Sequence, residues 1–316
     1  MNKSEIIHKL QTLKFDTTVL QRYEEKHRHY HTVAHVSAVI DYLIKSNQLN
    51  DELFLAAVYH DAIYDPKQNN NEDLSAELFS KDAEAAKLDE KTIAKIVQII
   101  RDTKTHKASF KESEIFIEAD LSIFKSSFAD LMNYEHQIFK EFQFVDYREY
   151  KPKRLEVLRK FNTDGKLDLL IEYVSNRKPL IGVFCGSFNP FHKGHYNVLE
   201  KAERIFDKVI IAFGKNPDKQ ERRWPIPKII QYHQMEEYNG LMTDFVETLG
   251  TEVVVVRGLR NSTDFQYEQN QYRYIQELMP GIRIINIFCD KEFEHISSSG
   301  IRTLEKYNKH HSYLLE

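Results

Sequence analysis

Along the first half of the chain the apolar residues recur with a helical period. Val36, Val39, Ile40, Leu43 and Ile44 fall at i, i+3, i+4, i+7 and i+8, the stripe of an amphipathic helix. Leu53, Ala56, Ala57 and His60 repeat that spacing, which places the His60 imidazole on an apolar face and predicts its burial. The pattern predicts further helices over 72–86, 90–103, 127–143 and 147–161, with almost no strand signal from Ser4 to Phe161. From Leu180 the texture changes. Short β-branched runs (Leu180–Cys185, Val209–Phe213, Glu252–Val256 and Ile282–Phe288) alternate with helical patterns. Continuous apolar runs of this kind suit strands buried on both faces of a parallel sheet. The expected organisation is an all-α domain over 1–161, a linker over 162–178 carrying T-D-G and N-R-K-P, and an α/β domain with a parallel sheet over 179–316.

Composition narrows the setting. The 316 residues are 41% hydrophobic and 29% charged, with 10 Gly and 8 Pro, as in an ordinary soluble two-domain protein. A formal charge of −4 argues against general nucleic-acid binding, so an anionic ligand must be drawn by local cations. The first residues form no signal peptide and no run reaches membrane-spanning length, which points to a cytoplasmic protein with no membrane partner. Cys185 and Cys289 sit in apolar runs and are expected as buried free thiols.

Three clusters in the second half suit phosphate chemistry. G-V-F-C-G-S-F-N-P-F-H-K-G-H over 182–195 runs a strand into a glycine turn and two histidines at a helix mouth. Free backbone N–H groups and the helix dipole meet phosphate oxygens there, with Gly186 allowing close approach. R-G-L-R over 257–260 follows the V-V-V-V strand and offers two guanidiniums at a strand's carboxyl end. H-I-S-S-S-G over 295–300 sets hydroxyls ahead of a final helix over 299–308.

The segment resembles the nucleotidyltransferases with an H-x-G-H signature, and within them the phosphopantetheine adenylyltransferase family. The carrying residues are Gly186–His195, Arg257–Glu268 (R-G-L-R-x-x-x-D-F-x-Y-E) and Ile296–Ser299. The resemblance implies a Rossmann-like fold, a homo-oligomer, and transfer of AMP from ATP, with Mg2+, to 4′-phosphopantetheine. Ser187, Phe188, Gly258, Leu259, Arg260, Glu268 and the stretch from Phe293 through Ile296, Ser297, Ser298 and Ser299 would meet ATP. Ser187, Lys219, Met242 and Arg257 would hold the acceptor, and His195, helped by His192, would stabilise the transition state. Asn189 stands where the family has Asp, Ser187 where it has Thr, and the 222–240 segment is shorter. A nicotinamide or nicotinate mononucleotide acceptor is the alternative.

In the first half, Y-H-T-V-A-H over 30–35, H-D at 60–61, His106 and Asp120 form a second constellation. His35, His60, Asp61 and Asp120 supply two nitrogens and two oxygens, a mixture suited to a divalent Mn, Fe, Ni or Zn ion with positions open to water. The region resembles the HD superfamily of metal-dependent phosphohydrolases through Tyr30–His35, His60–Pro66, Asn71-Glu72, Ser75-Ala76, Thr103–His106 and Asp120-Leu121. That resemblance implies His35, His60, Asp61 and Asp120 as metal ligands, with His31, Glu72 and His106 around them as supporting or phosphate-facing groups. The expected protein is bifunctional; a regulatory nucleotide-binding role for the helical half is the alternative.

Overall fold

The computed structural model describes residues 1–215, 224–250 and 252–315. The chain divides into two compact units, Met1–Glu141 with Lys153–Ser175, and Phe142–Pro152 with Asn176–Glu316. Among the described residues, no helix is long and apolar enough to cross a membrane.

The first unit is helical: α1 Lys3–Thr12, α2 Val33–Lys45, α3 Asp51–Tyr59, α4 Asn71–Ala85, α5 Glu90–Asp102, α6 Lys111–Asp120 and α7 Phe128–Glu141. α8 Tyr147–Phe161 is shared between the units, and α9 Asp168–Asn176 lies in the segment expected as linker. Polar caps start several of these helices; the Thr32 hydroxyl accepts from Ala34 N–H, and the Asn50 and Asp89 side chains accept from Leu53 and Thr92 N–H. The α2 stripe is buried at Val36, Val39, Ile40 and Leu43, whereas Ile44 is 46% exposed. The stripe is thus narrower than its period suggests, because Ile44 sits in the last turn, one residue before the helix ends at Lys45. Leu155, Leu158, Leu167 and Leu170 join α8 and α9 to Leu131 in a smaller core.

The second unit is a five-stranded sheet, β1 Ile181–Gly186, β2 Lys208–Lys215, β3 Met235–Asn239, β4 Val253–Leu259 and β5 Arg283–Phe288. The strand order is β3-β2-β1-β4-β5 and every pairing is parallel. α10 Lys193–Ala202, α11 Met242–Thr248, α12 Ser262–Leu278 and α13 Ser298–Glu305 complete it. Alternate residues of β1 enter opposite cores: Phe184 packs with Val198, Leu199 and Val256, and Val183 with Ile210, Phe245 and Val255. β3 was not expected from the sequence, since M-E-E-Y-N is an edge strand and lacks an apolar run. Lys208 is only 1% exposed, and its Nζ donates to the carbonyls of Gln143 and Val145. This ties 142–152 to the sheet and makes it part of the second unit. Cys185 and Cys289 are free and buried.

Candidate functional site

In the second unit the strand order reverses between β1 and β4, where a crevice opens at the carboxyl ends of a parallel sheet. A cavity of about 1560 Å³ lies there, and its wall brings together Ser187, His192, His195, Gly258, Leu259, Arg260, Glu268, Ile296 and Ser297–Ser299. Three motifs far apart in sequence thus share one site.

The histidine pair is organised by the start of α10. His192 N–H donates to His195 Nδ1 at 3.3 Å, and His195 N–H donates to His192 Nδ1 at 3.4 Å, a reciprocal cap. The rings stack with centroids 3.6 Å apart. A ring nitrogen that accepts from a backbone N–H carries no proton, so each neutral imidazole keeps its N–H at Nε2. Burial, with Arg260 nearby, pushes His192 down to about 3. Burial, then His192 and Arg260, holds His195 well below the usual histidine range. Two neutral Nε2–H donors are therefore available on the cavity wall, where a phosphate can accept from them without an imidazolium.

Other residues sit less simply than the motifs suggest. Phe188 takes a left-handed backbone (φ 42°), and its ring, 3% exposed, packs 4.8 Å from Phe184 and 4.9 Å from His195. Only its backbone is free to face a nucleotide. The same ring gives Gly186 a structural reason: a Cβ there would come within 2.7 Å of it, so this glycine makes room for Phe188. Arg257 Nε and Nη2 donate to Glu268 at 2.9 and 2.6 Å, and Nη1 donates to Cys185 O at 3.0 Å. Arg260 forms a two-pronged pair with Asp264, both bonds 2.8 Å. Ser297 caps α13 by accepting from Gly300 N–H, Ser298 donates to Pro190 O, and Arg302 donates to Asn189 O, joining the 296–302 segment to the 187–195 turn. Among the described residues, the cavity wall does not include Met242, Arg257 or Phe293; Met242 and Phe293 pack against the two sheet cores. Lys219 lies outside the described residues.

In the first unit, α2, α3 and α6 converge on a second site. His35 Nε2 lies 3.1 Å from His60 Nε2 and 3.1 Å from Asp120 Oδ1. Asp61 Oδ2 is 3.0 Å from His60 Nε2 and 3.5 Å from His35 Nε2. His35 and His60 are 5% and 1% exposed. His60 Nδ1–H donates to Ala57 O at 3.0 Å, fixing the ring with Nε2 turned to the carboxylates, as a ligating histidine requires. The ligand atoms of His35, His60 and Asp120 all lie within 4.8 Å of one another, so the donor set fits a small divalent ion. Burial opposes charge on Asp61 and Asp120, but the histidines keep both carboxyls below their ordinary range. His106 is half-buried beside Phe161, and burial lowers its pKa. Burial raises Glu72, helped by the nearby charge of Asp61.

Two supports of this cluster were missed in the sequence. Arg28, 5% exposed, donates to the Asp61 and Ala62 carbonyls at 2.7 and 3.1 Å and so fixes the backbone at Asp61. Glu141, fully buried, accepts from the N–H groups of His29, Tyr30 and His31, from His31 Nδ1–H at 2.7 Å and from Tyr64 OH at 2.8 Å. Burial works against its charge, yet His31 and these bonds bring it down to about 2. One signal existed: Glu141 falls at i+7 from Tyr134 and i+3 from Ile138, a carboxylate on a buried stripe.

Residues 183–304 match the cytidylyltransferase-like family. The chain is 37% identical over 137 residues to the phosphopantetheine adenylyltransferase of Mycoplasma mycoides subsp. mycoides, covering 40% of this chain and 97% of that protein. It is 37% identical over 139 residues to the Mycoplasma capricolum protein of that name (41% and 99% covered). The Streptococcus pneumoniae protein of that name is 35% identical over 139 residues (41% and 85% covered). The cytidylyltransferase-like match begins at residue 183 and leaves the helical unit outside it. With near-complete coverage of these relatives and a cavity walled by the three motif segments, the chain belongs, through its second unit, to the phosphopantetheine adenylyltransferase family of nucleotidyltransferases.

Proposed function

We propose that the second unit transfers AMP from ATP to 4′-phosphopantetheine, giving dephospho-coenzyme A and pyrophosphate. The observation that carries this is the neutral, stacked His192–His195 pair on the wall of the cavity. An oxygen of the acceptor phosphate attacks the α-phosphorus of MgATP as the bond from that phosphorus to the bridging oxygen breaks. The protein needs no covalent intermediate; it positions both phosphates and neutralises the charge that develops. The His195 and His192 Nε2–H groups donate to that charge, while the N-termini of α10 and α13 and the Arg260 guanidinium hold phosphate oxygens. Arg257 lies off the cavity wall with its guanidinium on Glu268 and Cys185 O, and reaches the acceptor phosphate by giving up part of that fork. Pyrophosphate release measured across phosphorylated acceptors tests the reading; turnover with nicotinamide or nicotinate mononucleotide alone would replace it.

For the helical unit the reading is an HD-type phosphohydrolase whose single divalent transition metal is held by His35, His60, Asp61 and Asp120. The observation behind it is the convergence of two Nε2 atoms and two carboxylates, with His60 locked from behind by Ala57 O. The metal, when bound, lowers the pKa of a water and polarises a phosphoryl group. The protein's part is to orient the ligands: Arg28 holds the Asp61 backbone, and Glu72 and His106 border the cluster. Metal analysis of the purified protein, with a panel of phosphomonoesters and nucleotides, tests this reading. Metal-dependent nucleotide binding without turnover would make the unit a sensor.

A further inference from the structure

We propose that Glu141 is the positioning residue of the helical unit's site: it fixes the His31 ring so that Nε2 is presented to a phosphoryl oxygen bound beside the His35, His60, Asp61 and Asp120 cluster. The inference deepens the phosphohydrolase reading and rests on it.

The geometry of Glu141 is specific. One carboxylate oxygen, Oε1, accepts three consecutive backbone N–H groups at 2.7, 2.7 and 2.9 Å, which pins residues 29–31. The other, Oε2, accepts from His31 Nδ1–H and from Tyr64 OH. An ionised carboxylate only accepts, so the proton between it and His31 belongs to Nδ1. Tyr64 closes the arrangement by stacking on the His31 ring, with centroids 4.1 Å apart. The ring is thus held by an edge bond and a face contact and has no freedom to flip. Its remaining nitrogen, Nε2, makes no hydrogen bond among the described residues, although the side chain is only 20% exposed. The ring lies 5.8 Å from that of His35. Nε2 is not sealed off by the protein, so a ligand entering beside the cluster can reach it. A phosphate oxygen at the cluster accepts from Nε2–H when the ring is the imidazolium, the form that the Glu141 carboxylate 2.7 Å from Nδ1 favours. Of the five donors to this buried glutamate, three are backbone N–H groups of the loop and two, His31 Nδ1–H and Tyr64 OH, set the imidazole and the ring stacked on it.

Histidine-directed 15N NMR on the full chain loaded with Zn2+ reads the ring directly. Inorganic phosphate should shift the His31 Nε2 resonance and leave a hydrogen-bonded Nδ1–H in place; no response at Nε2 overturns the proposal. Calorimetry on the Mn2+-loaded chain isolates the phosphate binding that appears only with metal. Glu141→Gln puts an amide N–H against two donors, and is expected to weaken that binding about tenfold while Mn2+ affinity stays within about twofold. His31→Gln should lose as much, and the double variant no more. Equal phosphate binding by wild type and His31→Gln, or additive losses in the double variant, would refute it. Loss of Mn2+ in Glu141→Gln would also refute it, by assigning Glu141 a structural role. If phosphate binds as expected but no phosphoester is hydrolysed with any of the four metals, the hydrolase reading fails and the positioning role stands for a binding site.

Discussion

Each unit centres on two histidines, and the pairs are built in opposite ways. His192 and His195 stack at a helix start, use Nδ1 to accept backbone N–H groups, and are kept neutral by burial. His35 and His60 bring Nε2 atoms together beside two carboxylates, and Asp61 and Asp120 raise His60 well above its ordinary range although burial opposes this. The first pair presents N–H donors suited to an anion; the second presents lone pairs suited to a cation only once the proton its carboxylates favour has left. Residue type is shared; which ring nitrogen the backbone occupies decides the chemistry.

The comparison breaks most visibly at its two centres. His195→Ala should lower kcat for pyrophosphate release about a hundredfold or more with ATP KM nearly unchanged, because its donor acts mainly on transition-state charge. A matching rise in ATP KM would instead make His195 a ground-state contact. Asp61→Ala or chelation should remove bound metal by elemental analysis, lower the melting temperature of the helical unit and abolish phosphatase activity. Adenylyl transfer should persist, since its cavity is lined by the second unit alone. A metal-free protein of undiminished thermal stability would contradict this.

Smaller effects sharpen the contrast. Arg257→Ala should raise acceptor KM, and Glu268→Gln should do so more weakly, because Glu268 holds the Arg257 fork. Steady-state kinetics varying each substrate in turn would show an ATP effect if Glu268 acts on the nucleotide by itself. The smallest effect is one of pH. The folded pKa values of His192 and His195 lie below the unfolded value of about 6.5, so below that pH the unfolded chain binds protons that the folded pair refuses. Stability of the second unit should therefore fall as pH drops from about 6.5 toward the folded value, and His192→Asn, which keeps an N-cap acceptor, should flatten the slope in a melting series.

The legible parts were those with a strong period or a local motif. α2, α5 and α8 and the four apolar strands were readable because burial of a whole stripe or run writes itself into the sequence. β3 was not, since two glutamates occupy an edge strand, and neither was α12, which has no fully buried residue and so no apolar stripe. Glu141 escaped notice because it lies 110 residues from His31 and resembles any helix-surface glutamate until the fold buries it. Gly186 was legible as necessary, but the Phe188 ring that also requires it was not.

The sequence by itself determined the two textures, the motif strings and the residues able to bind phosphate or metal, because these depend on local period and side-chain chemistry. Only the tertiary structure decided that Arg257 spends its fork on Glu268, that Phe188 turns inward and that Glu141 grips the loop before α2. Those pairings join residues distant in the chain, and no local pattern records which buried donor will meet which buried acceptor.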